Sequence, residues 1–244
     1  MGTDPGWVGR ASVRPGRIVH SVKVRQLLIL WLVILTSCSS AAPSAPSSLA
    51  ATASPTGPPA VKIAVLGDSI AAGTGASGFD AIWWVRAQLA LRQSRPLVTF
   101  TNFAQAGSGV DYLERTARVV DPKDYRIAVV IEGRNDQIDE AAWRPRFSAV
   151  VEALEAKSIT VVLGTYPPAF VNGAFSEFPR NTVIRAIAEA GHRPLLDFEA
   201  RWRAAGPTMA AGWYTDQVHA NDPGQKIEAE VAIPILEPLI AKGP

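Results

Sequence analysis

The stretch from Val61 to Ile70 constrains the fold more than any other part of the chain. Its apolar core, Ile63 to Leu66, is typical of a parallel strand that is covered on both faces. Gly67 ends this run, because glycine tolerates the backbone angles of a sharp exit. Ser69 follows on the turn, where α/β proteins place reactive side chains. Ser69 is therefore a candidate nucleophile, although Asp68 or Ser69 could also serve only as the cap of the next helix.

The rest of the chain alternates apolar strands with amphipathic helices. Further strands are predicted at Leu97–Phe103, Arg126–Ile131, Thr160–Leu163 and Leu195–Phe198. Helices are predicted between them, over 78–92, 112–119, 143–154 and 183–190, and from Pro223 towards the end of the chain. This alternation predicts an α/β fold with an approximately five-stranded parallel sheet covered by helices on both faces.

Three local predictions accompany this pattern. The adjacent Trp83 and Trp84 cannot both face the core from one helix, so one of them is expected to be exposed, either on the pocket rim or against a neighbouring loop. The last helix is expected to bury Ile227, Val231 and Ile235. A loop is expected over residues 172–179.

The first 60 residues are predicted to lie outside the folded domain, which then covers residues 61–244. Leu27–Leu35 is a nine-residue apolar block, too short to span a bilayer, which needs about 20 residues. With Lys23 and Arg25 before it, the block has the form of a signal-peptide core. Residues 38–60 are rich in Ser, Ala and Pro and uncharged, as in a mobile tether.

The chain's one cysteine follows the apolar block. Leu35-Thr36-Ser37-Cys38 resembles the lipobox of bacterial lipoprotein signals. This resemblance implies that residues 1–37 are removed as a signal peptide and that Cys38 carries lipid. The protein is then expected to cross the bacterial cytoplasmic membrane and to be lipid-anchored at the extracytoplasmic surface. An ordinary secretory signal, or an uncleaved anchor with an incidental cysteine, is the alternative.

The charge balance argues against nucleic acid as a partner. Residues 1–37 hold five of the 24 basic residues and one of the 22 acidic ones, so the remainder has a net charge of −2. That is not the basic surface that nucleic-acid binding requires. The sequence also has no metal-ligand cluster, phosphate-binding glycine loop or cofactor motif, so we expect no metal and no cofactor. We also expect a monomer.

Three loops follow strands and one precedes the last helix. The carboxyl ends of parallel strands share one edge of a sheet, so the loops at Asp68–Ser69, Asn102–Gly107 and Gly133–Asp136 are expected to converge. In the fourth loop, Asp216 lies three residues before His219. An aspartate there can orient the imidazole through Nδ1–H and leave Nε2 to accept a proton from a serine.

Together these blocks resemble those of the SGNH (GDSL) hydrolase family. Gly67-Asp68-Ser69-Ile70 matches the first block, Asn102–Gly107 the second, Gly133-Arg134-Asn135-Asp136 the third and Asp216–His219 the last, in the family's order. The resemblance spans residues 61–242. One departure is Ala104, where many members have a glycine.

The resemblance implies a three-layer, flavodoxin-like α/β/α sandwich and a serine esterase of the lipase type. Ser69 would be the nucleophile, His219 its base and Asp216 the residue that orients the base. The backbone N–H groups of Ser69 and Gly107 and the side-chain amide of Asn135 would form the oxyanion hole. The substrate would be a small-molecule, lipid or glycan ester.

Two other functions remain compatible with these residues. The acyl group could pass to a sugar hydroxyl instead of water, or the domain could bind glycans without cleaving them. An α/β-hydrolase also has the order Ser, Asp, His. That fold needs several strands before its nucleophile, however, and here only the predicted tether precedes the first strand.

Overall fold

Within residues 60–242, seven strands form a five-stranded sheet and a separate two-stranded hairpin. The computed structural model describes residues 60–242, so the predicted signal peptide, the tether up to residue 59 and Cys38 lie outside the described residues. The strands are β1 Val61–Gly67, β2 Val98–Asn102, β3 Ile127–Ile131, β4 Thr160–Gly164, β5 Ala169–Val171, β6 Ala174–Ser176 and β7 Leu195–Leu196.

Eight α-helices connect and cover the strands within residues 60–242. They are α1 Ser69–Ala72, α2 Trp83–Leu91, α3 Val110–Val119, α4 Glu140–Glu155, α5 Arg180–Ala190, α6 Phe198–Ala205, α7 Pro207–Ala210 and α8 Asp222–Ala241. Single turns of 3-10 helix occur at Phe79–Ala81 and Ala211–Trp213. None of these helices is both long enough and apolar enough to cross a membrane.

The large sheet has the order β2-β1-β3-β4-β7, and every pairing is parallel. The five-stranded parallel sheet predicted from the sequence is therefore confirmed. The chain passes from β1 to β2 on one side and later to β3 on the other side. Such a reversal opens a crevice at the carboxyl ends of β1 and β3, and ligands of open α/β sheets bind in this kind of crevice.

Helices cover both faces of the sheet, as the three-layer prediction requires. The helices α2, α6 and α8 pack together on one face, and α3, α4 and α5 pack together on the other. The core between them is apolar, and β3 is buried over its whole length. Strands buried on both faces explain the continuous apolar runs in the sequence.

The expectation that one of Trp83 and Trp84 is exposed is wrong. Trp83 is fully buried against Phe198, and its indole Nε1 lies 3.2 Å from the carbonyl oxygens at the end of α1. Trp84 is covered from the other side by Phe79. The loop before α2 folds over the helix, so both faces of its first turn are covered. Residues 78–82 belong to this loop, and the predicted helix begins only at Trp83.

Two further corrections lie between β4 and α8. The loop predicted over residues 172–179 contains most of the antiparallel β5–β6 hairpin, with Asn172 and Gly173 at its turn. The fifth sheet strand ends at Leu196, because Asp197 caps α6 by accepting a hydrogen bond from Ala200 N. The short helices α6 and α7 were not predicted from the sequence.

The buried face of α8 also differs from the prediction. Asn221 caps the helix, and the predicted residues Ile227, Val231 and Ile235 are only partly buried. The buried face instead comprises Gly224, Gln225, Glu228, Ala229, Ala232, Leu236 and Ile240. This face includes polar side chains, of which Gln225 accepts a hydrogen bond from Trp83 N and donates to Ala220 O.

Candidate active site

The turn after β1 places a serine at the start of α1. Asp68 caps this helix by accepting a hydrogen bond from Ile70 N at 3.0 Å, so Ser69 is not needed as the cap. Gly67 has a φ of +133°, and a Cβ there would lie 1.7 Å from the carbonyl oxygen of Ile131. Only glycine allows β1 to turn this closely against β3.

The structure brings Ser69, His219 and Asp216 into one chain of hydrogen bonds. Ser69 Oγ lies 2.9 Å from His219 Nε2, and His219 Nδ1 lies 2.7 Å from Asp216 Oδ2. Although 150 residues separate the serine from the histidine, their loops meet at the carboxyl edge of the sheet. With Nδ1–H donated to Asp216, Nε2 is free to accept the serine proton.

The other oxygen of Asp216 shapes its own loop. Oδ1 accepts hydrogen bonds from Val218 N at 2.7 Å and from His219 N at 2.8 Å. Partial burial acts to raise the pKa of Asp216, but the hydrogen bonds from the His219 side chain and from both backbone N–H groups outweigh it. The pKa therefore lies below its ordinary value, and the carboxylate is ionised beside the imidazole.

Two other segments hold the histidine loop in place. Thr215 Oγ1 donates to Gly75 O at 2.9 Å, and a Cβ on Gly75 would lie 2.5 Å from Ala220 O and 3.1 Å from His219 Cβ. In the same loop, Gln217 O accepts a hydrogen bond from Phe170 N in β5 at 2.7 Å. The β5–β6 hairpin is thus attached directly to the loop that carries His219.

The backbone N–H groups of Ser69 and Gly107 are the two that the sequence analysis assigned to an oxyanion hole. Within residues 60–242, neither the N–H of Ser69 nor that of Gly107 donates to a protein acceptor. Gly107 has a φ of +78°, and a Cβ there would contact nothing within 4 Å. The positive φ therefore favours glycine at this position.

The side-chain amide of Asn135 lies between Ser108 and Asp68, the residue before Ser69. Its Nδ2 donates to Ser108 O at 2.8 Å and lies 3.4 Å from Asp68 Oδ2. The first contact fixes the amide in place. The second contact is long for a hydrogen bond, so Asp68 holds the other N–H of this amide only weakly and a substrate oxygen can compete for it.

The sequence analysis did not single out four residues that support these loops. Tyr166 OH donates to Asp68 Oδ2 at 2.8 Å, and Ser108 Oγ lies 3.1 Å from Gly67 O. Arg180 donates to three carbonyl oxygens of the loop after β3, those of Gly133, Asp136 and Ile138. The fourth residue, Glu132, has one sequence signal: it is a lone carboxylate directly after a wholly apolar strand.

Two buried carboxyl groups, Asp68 and Glu132, lie beside the nucleophile turn, and both side chains are fully inaccessible to solvent. Burial raises the pKa of Asp68 to about 6 against the opposing hydrogen bonds from Ile70 N and Tyr166. Burial and the charge of Asp68 raise the pKa of Glu132 to about 9. Because two negative charges in a low dielectric repel each other, ionisation of Asp68 favours the protonated form of Glu132.

Aromatic side chains flank the site. Phe170 stacks on Tyr214 with ring centroids 5.7 Å apart, and the Arg134 guanidinium lies over the ring of Phe178 at 5.4 Å. No three His, Cys, Asp or Glu side chains among residues 60–242 are grouped as metal ligands would be. The arrangement supplies a serine, a base and hydrogen-bond donors, which together suit acyl transfer.

Comparison with known proteins agrees with this geometry. The model of the GDSL-like lipase/acylhydrolase family matches residues 65–227, whereas no curated protein matches the chain.

Among solved structures, the chain is similar to a two-domain esterase active on acetylated mannans, with 19% identity and a TM-score of 0.62. The match covers 75% of this chain and 50% of the esterase, so the chain spans about half of that protein's length. It is also similar to the acetyl xylan esterase AlAXEase, with 18% identity, a TM-score of 0.59 and coverage of 70% and 96%.

A third similar structure is a mutant of Axe2, an acetyl-xylooligosaccharide esterase from Geobacillus Stearmophilus. It has 19% identity and a TM-score of 0.59, and the match covers 74% of this chain and 95% of Axe2. At these identities, the likeness establishes the fold.

Proposed function

Since the chain belongs to the GDSL-like lipase/acylhydrolase family, we propose that it is a carboxylic ester hydrolase that acts through an acyl-serine intermediate on Ser69. The observation that carries this mechanism is the hydrogen-bonded chain from Asp216 through His219 to Ser69. Nucleophile, base and orienting carboxylate all lie within hydrogen-bond distance of the next group, as covalent catalysis requires.

In the proposed reaction, Ser69 Oγ attacks the ester carbonyl carbon while His219 Nε2 accepts the hydroxyl proton. Asp216 stabilises the resulting imidazolium. The carbonyl oxygen becomes an oxyanion that accepts hydrogen bonds from the N–H groups of Ser69 and Gly107 and from Asn135 Nδ2. His219 then gives its proton to the leaving alkoxide, and a water molecule, activated by the same base, releases the acid and restores Ser69.

We propose an acetyl ester of a polysaccharide as the substrate class. The support is the set of structural relatives, three of which are named for activity on acetylated mannans, xylan or xylo-oligosaccharides. Acyl transfer to a sugar hydroxyl would use the same intermediate. Analysis of the products formed with a sugar acceptor present separates the two reactions.

The first test replaces Ser69 by alanine and measures hydrolysis of p-nitrophenyl acetate and butyrate. Removal of the nucleophile is expected to lower kcat by a factor on the order of 10⁴ to 10⁶. Ser94→Ala is the matched control, because Ser94 is an exposed serine whose hydroxyl donates a hydrogen bond to the carbonyl of Leu91 at the end of α2. If Ser69→Ala keeps the wild-type rate, Ser69 is not the nucleophile.

A further inference from the structure

Glu132 lies behind the site without facing a substrate. It follows β3 directly, and its side chain is fully buried. Its Oε1 accepts a hydrogen bond from Gly133 N at 2.9 Å, and its Oε2 lies 3.2 Å from Ser108 Oγ. The proposed chemistry uses none of these atoms, so the buried carboxyl group needs another explanation.

The hydrogen bonds of Ser108 indicate whether the Glu132 carboxyl group carries a proton. Ser108 Oγ lies 3.1 Å from Gly67 O, which can only accept, and 3.2 Å from Glu132 Oε2. A hydroxyl group has one proton and can donate only one of these hydrogen bonds. Both contacts are full two-centre hydrogen bonds only if Glu132 is protonated, so that its O–H donates to Ser108 Oγ and the Ser108 O–H donates to Gly67 O.

Asp68, the other buried carboxyl group, is surrounded by hydrogen-bond donors only. It accepts from Ile70 N at 3.0 Å and from Tyr166 OH at 2.8 Å, and Asn135 Nδ2 lies 3.4 Å from it. All three partners are donors, which fits an ionised carboxylate. The negative charge of Asp68 in turn favours the neutral form of Glu132.

Ser108 connects Glu132 to each part of the predicted oxyanion hole. It directly follows Gly107, and its carbonyl oxygen accepts the hydrogen bond from Asn135 Nδ2 at 2.8 Å. Its hydroxyl holds the carbonyl of Gly67, two residues before Ser69. The segments that carry all three donors therefore contact Ser108, and Ser108 contacts Glu132.

We propose that Glu132 is a positioning residue whose protonated carboxyl group fixes the oxyanion hole through Ser108. The role rests on the proposed function, because it concerns the donors that stabilise the oxyanion. Glu132 touches neither substrate nor reacting atoms. It acts by keeping the Ser69, Gly107 and Asn135 donors at the spacing that the transition state needs.

Two substitutions test this role. Glu132→Gln retains an N–H donor for Ser108 and an oxygen for Gly133 N, so kcat is expected to stay within about threefold of wild type. Glu132→Leu has similar volume but no donor, and is expected to lower kcat by about tenfold to a hundredfold with little change in KM. If Glu132→Leu does not fold, Ser108→Ala removes the same link and is expected to show the same loss.

Equal activity of the Gln and Leu variants, or an equal loss in both, would overturn the proposal. A second readout does not depend on esterase activity. The infrared difference spectrum of wild type minus Glu132→Gln at pH 7 is expected to show the C=O band of a protonated carboxylic acid. A carboxylate band instead would overturn the proposal even if the protein proved inactive on every ester, and the failure of the proposed function would be seen separately in the Ser69→Ala assay.

Discussion

Asp216 uses its two carboxylate oxygens for two different tasks. Oδ1 accepts from the backbone N–H groups of Val218 and His219, whereas Oδ2 accepts from His219 Nδ1. The same side chain therefore sets the shape of the loop and the tautomer of the imidazole. The spacing of three residues between Asp216 and His219 makes this possible, which is why a pair so close in sequence is chemically useful.

The raised pKa of Glu132 predicts that the free energy of unfolding depends on pH in the neutral range. Its pKa is raised to about 9 in the folded protein by burial and by the charge of Asp68, from an ordinary value of 4.5. Between these two values the unfolded chain binds fewer protons than the folded one, so this residue makes stability fall as pH rises. Glu132→Gln replaces this titrating carboxyl group by a neutral amide. The free energy of unfolding of the variant is therefore expected to rise relative to that of wild type as pH increases, by up to about 1.4 kcal/mol per pH unit.

Chemical unfolding of both proteins at pH 6, 7 and 8 measures this difference. Glu114→Gln is the control, because Arg146 holds the pKa of Glu114 below its ordinary value of 4.5 through hydrogen bonds. Glu114 is therefore ionised in both the folded and the unfolded protein from pH 6 to 8. Its substitution is expected to change the free energy of unfolding by the same amount over this range. A constant effect of Glu132→Gln as well would mean that Glu132 is ionised in the folded protein.

At the scale of residues, sequence reasoning reached the three side chains of the hydrogen-bonded chain but not those that support their loops. Ser69, Asp216 and His219 have reactive groups at useful spacings, and the structure brings them together. Ser108 and Tyr166 act through contacts with residues 41 and 98 positions away. A single sequence contains no sign of such contacts, because they depend on which strands become neighbours.

At the scale of elements, the site depends on loops that hold one another. The loop at Gly75 and the β5–β6 hairpin both hydrogen-bond to the histidine loop, the first through Thr215 and the second through Phe170 N. Both contacts end on backbone carbonyl groups, so they fix the path of the chain rather than one side chain. The position of His219 relative to Ser69 is therefore set by three segments.

Substitution of Gly75 by alanine tests this packing. The new Cβ would lie 2.5 Å from Ala220 O, and the φ of +103° is unfavourable for alanine. The histidine loop must shift, and displacement of a catalytic group by about 1 Å can cost about a hundredfold in rate. We expect kcat/KM for p-nitrophenyl acetate to fall by about tenfold or more.

Gly206→Ala provides the control for backbone strain alone. Gly206 also has a positive φ, +78°, but a Cβ there meets nothing within 4 Å. Gly206→Ala is expected to lose about 1–3 kcal/mol of stability to backbone strain, and Gly75→Ala at least as much because of its additional contact with Ala220 O, whereas only Gly75→Ala is expected to lose activity. Equal activities in the two variants would contradict the role given to the Gly75 contact.

Elements with strong apolar runs were predictable, and elements without them were not. β1 and β3 are buried on both faces, and their sequences are correspondingly continuous apolar runs. β6 has no fully buried residue, so Ala174–Ser176 carried no strand signal. In α8, Gln225 and Glu228 occupy the buried face, so the apolar residues suggested the wrong side of the helix.

At the scale of the whole molecule, we propose that the hydrolase domain is tethered to the outer face of the bacterial cytoplasmic membrane. The support is the sequence around Cys38 and the Ser/Ala/Pro-rich segment that follows it. Cys38→Ser in a bacterial host is expected to move the esterase activity from the membrane fraction to the soluble secreted fraction, because a lipid chain supplies the membrane affinity.

Mass spectrometry of the wild-type N-terminus is the companion measurement. A lipid-modified Cys38 at the new N-terminus is expected. An unmodified Cys38 with residues 1–37 still attached would contradict the proposed anchor.

The central claim is that Ser69 is the nucleophile activated by His219. The most direct measurement treats the full-length protein with a fluorophosphonate and locates the adduct by peptide mass spectrometry. The account predicts a single adduct on Ser69 that forms slowly or not at all in His219→Ala, because the base that removes the serine proton is then missing. An unlabelled wild-type protein, or an adduct on another residue, would contradict it.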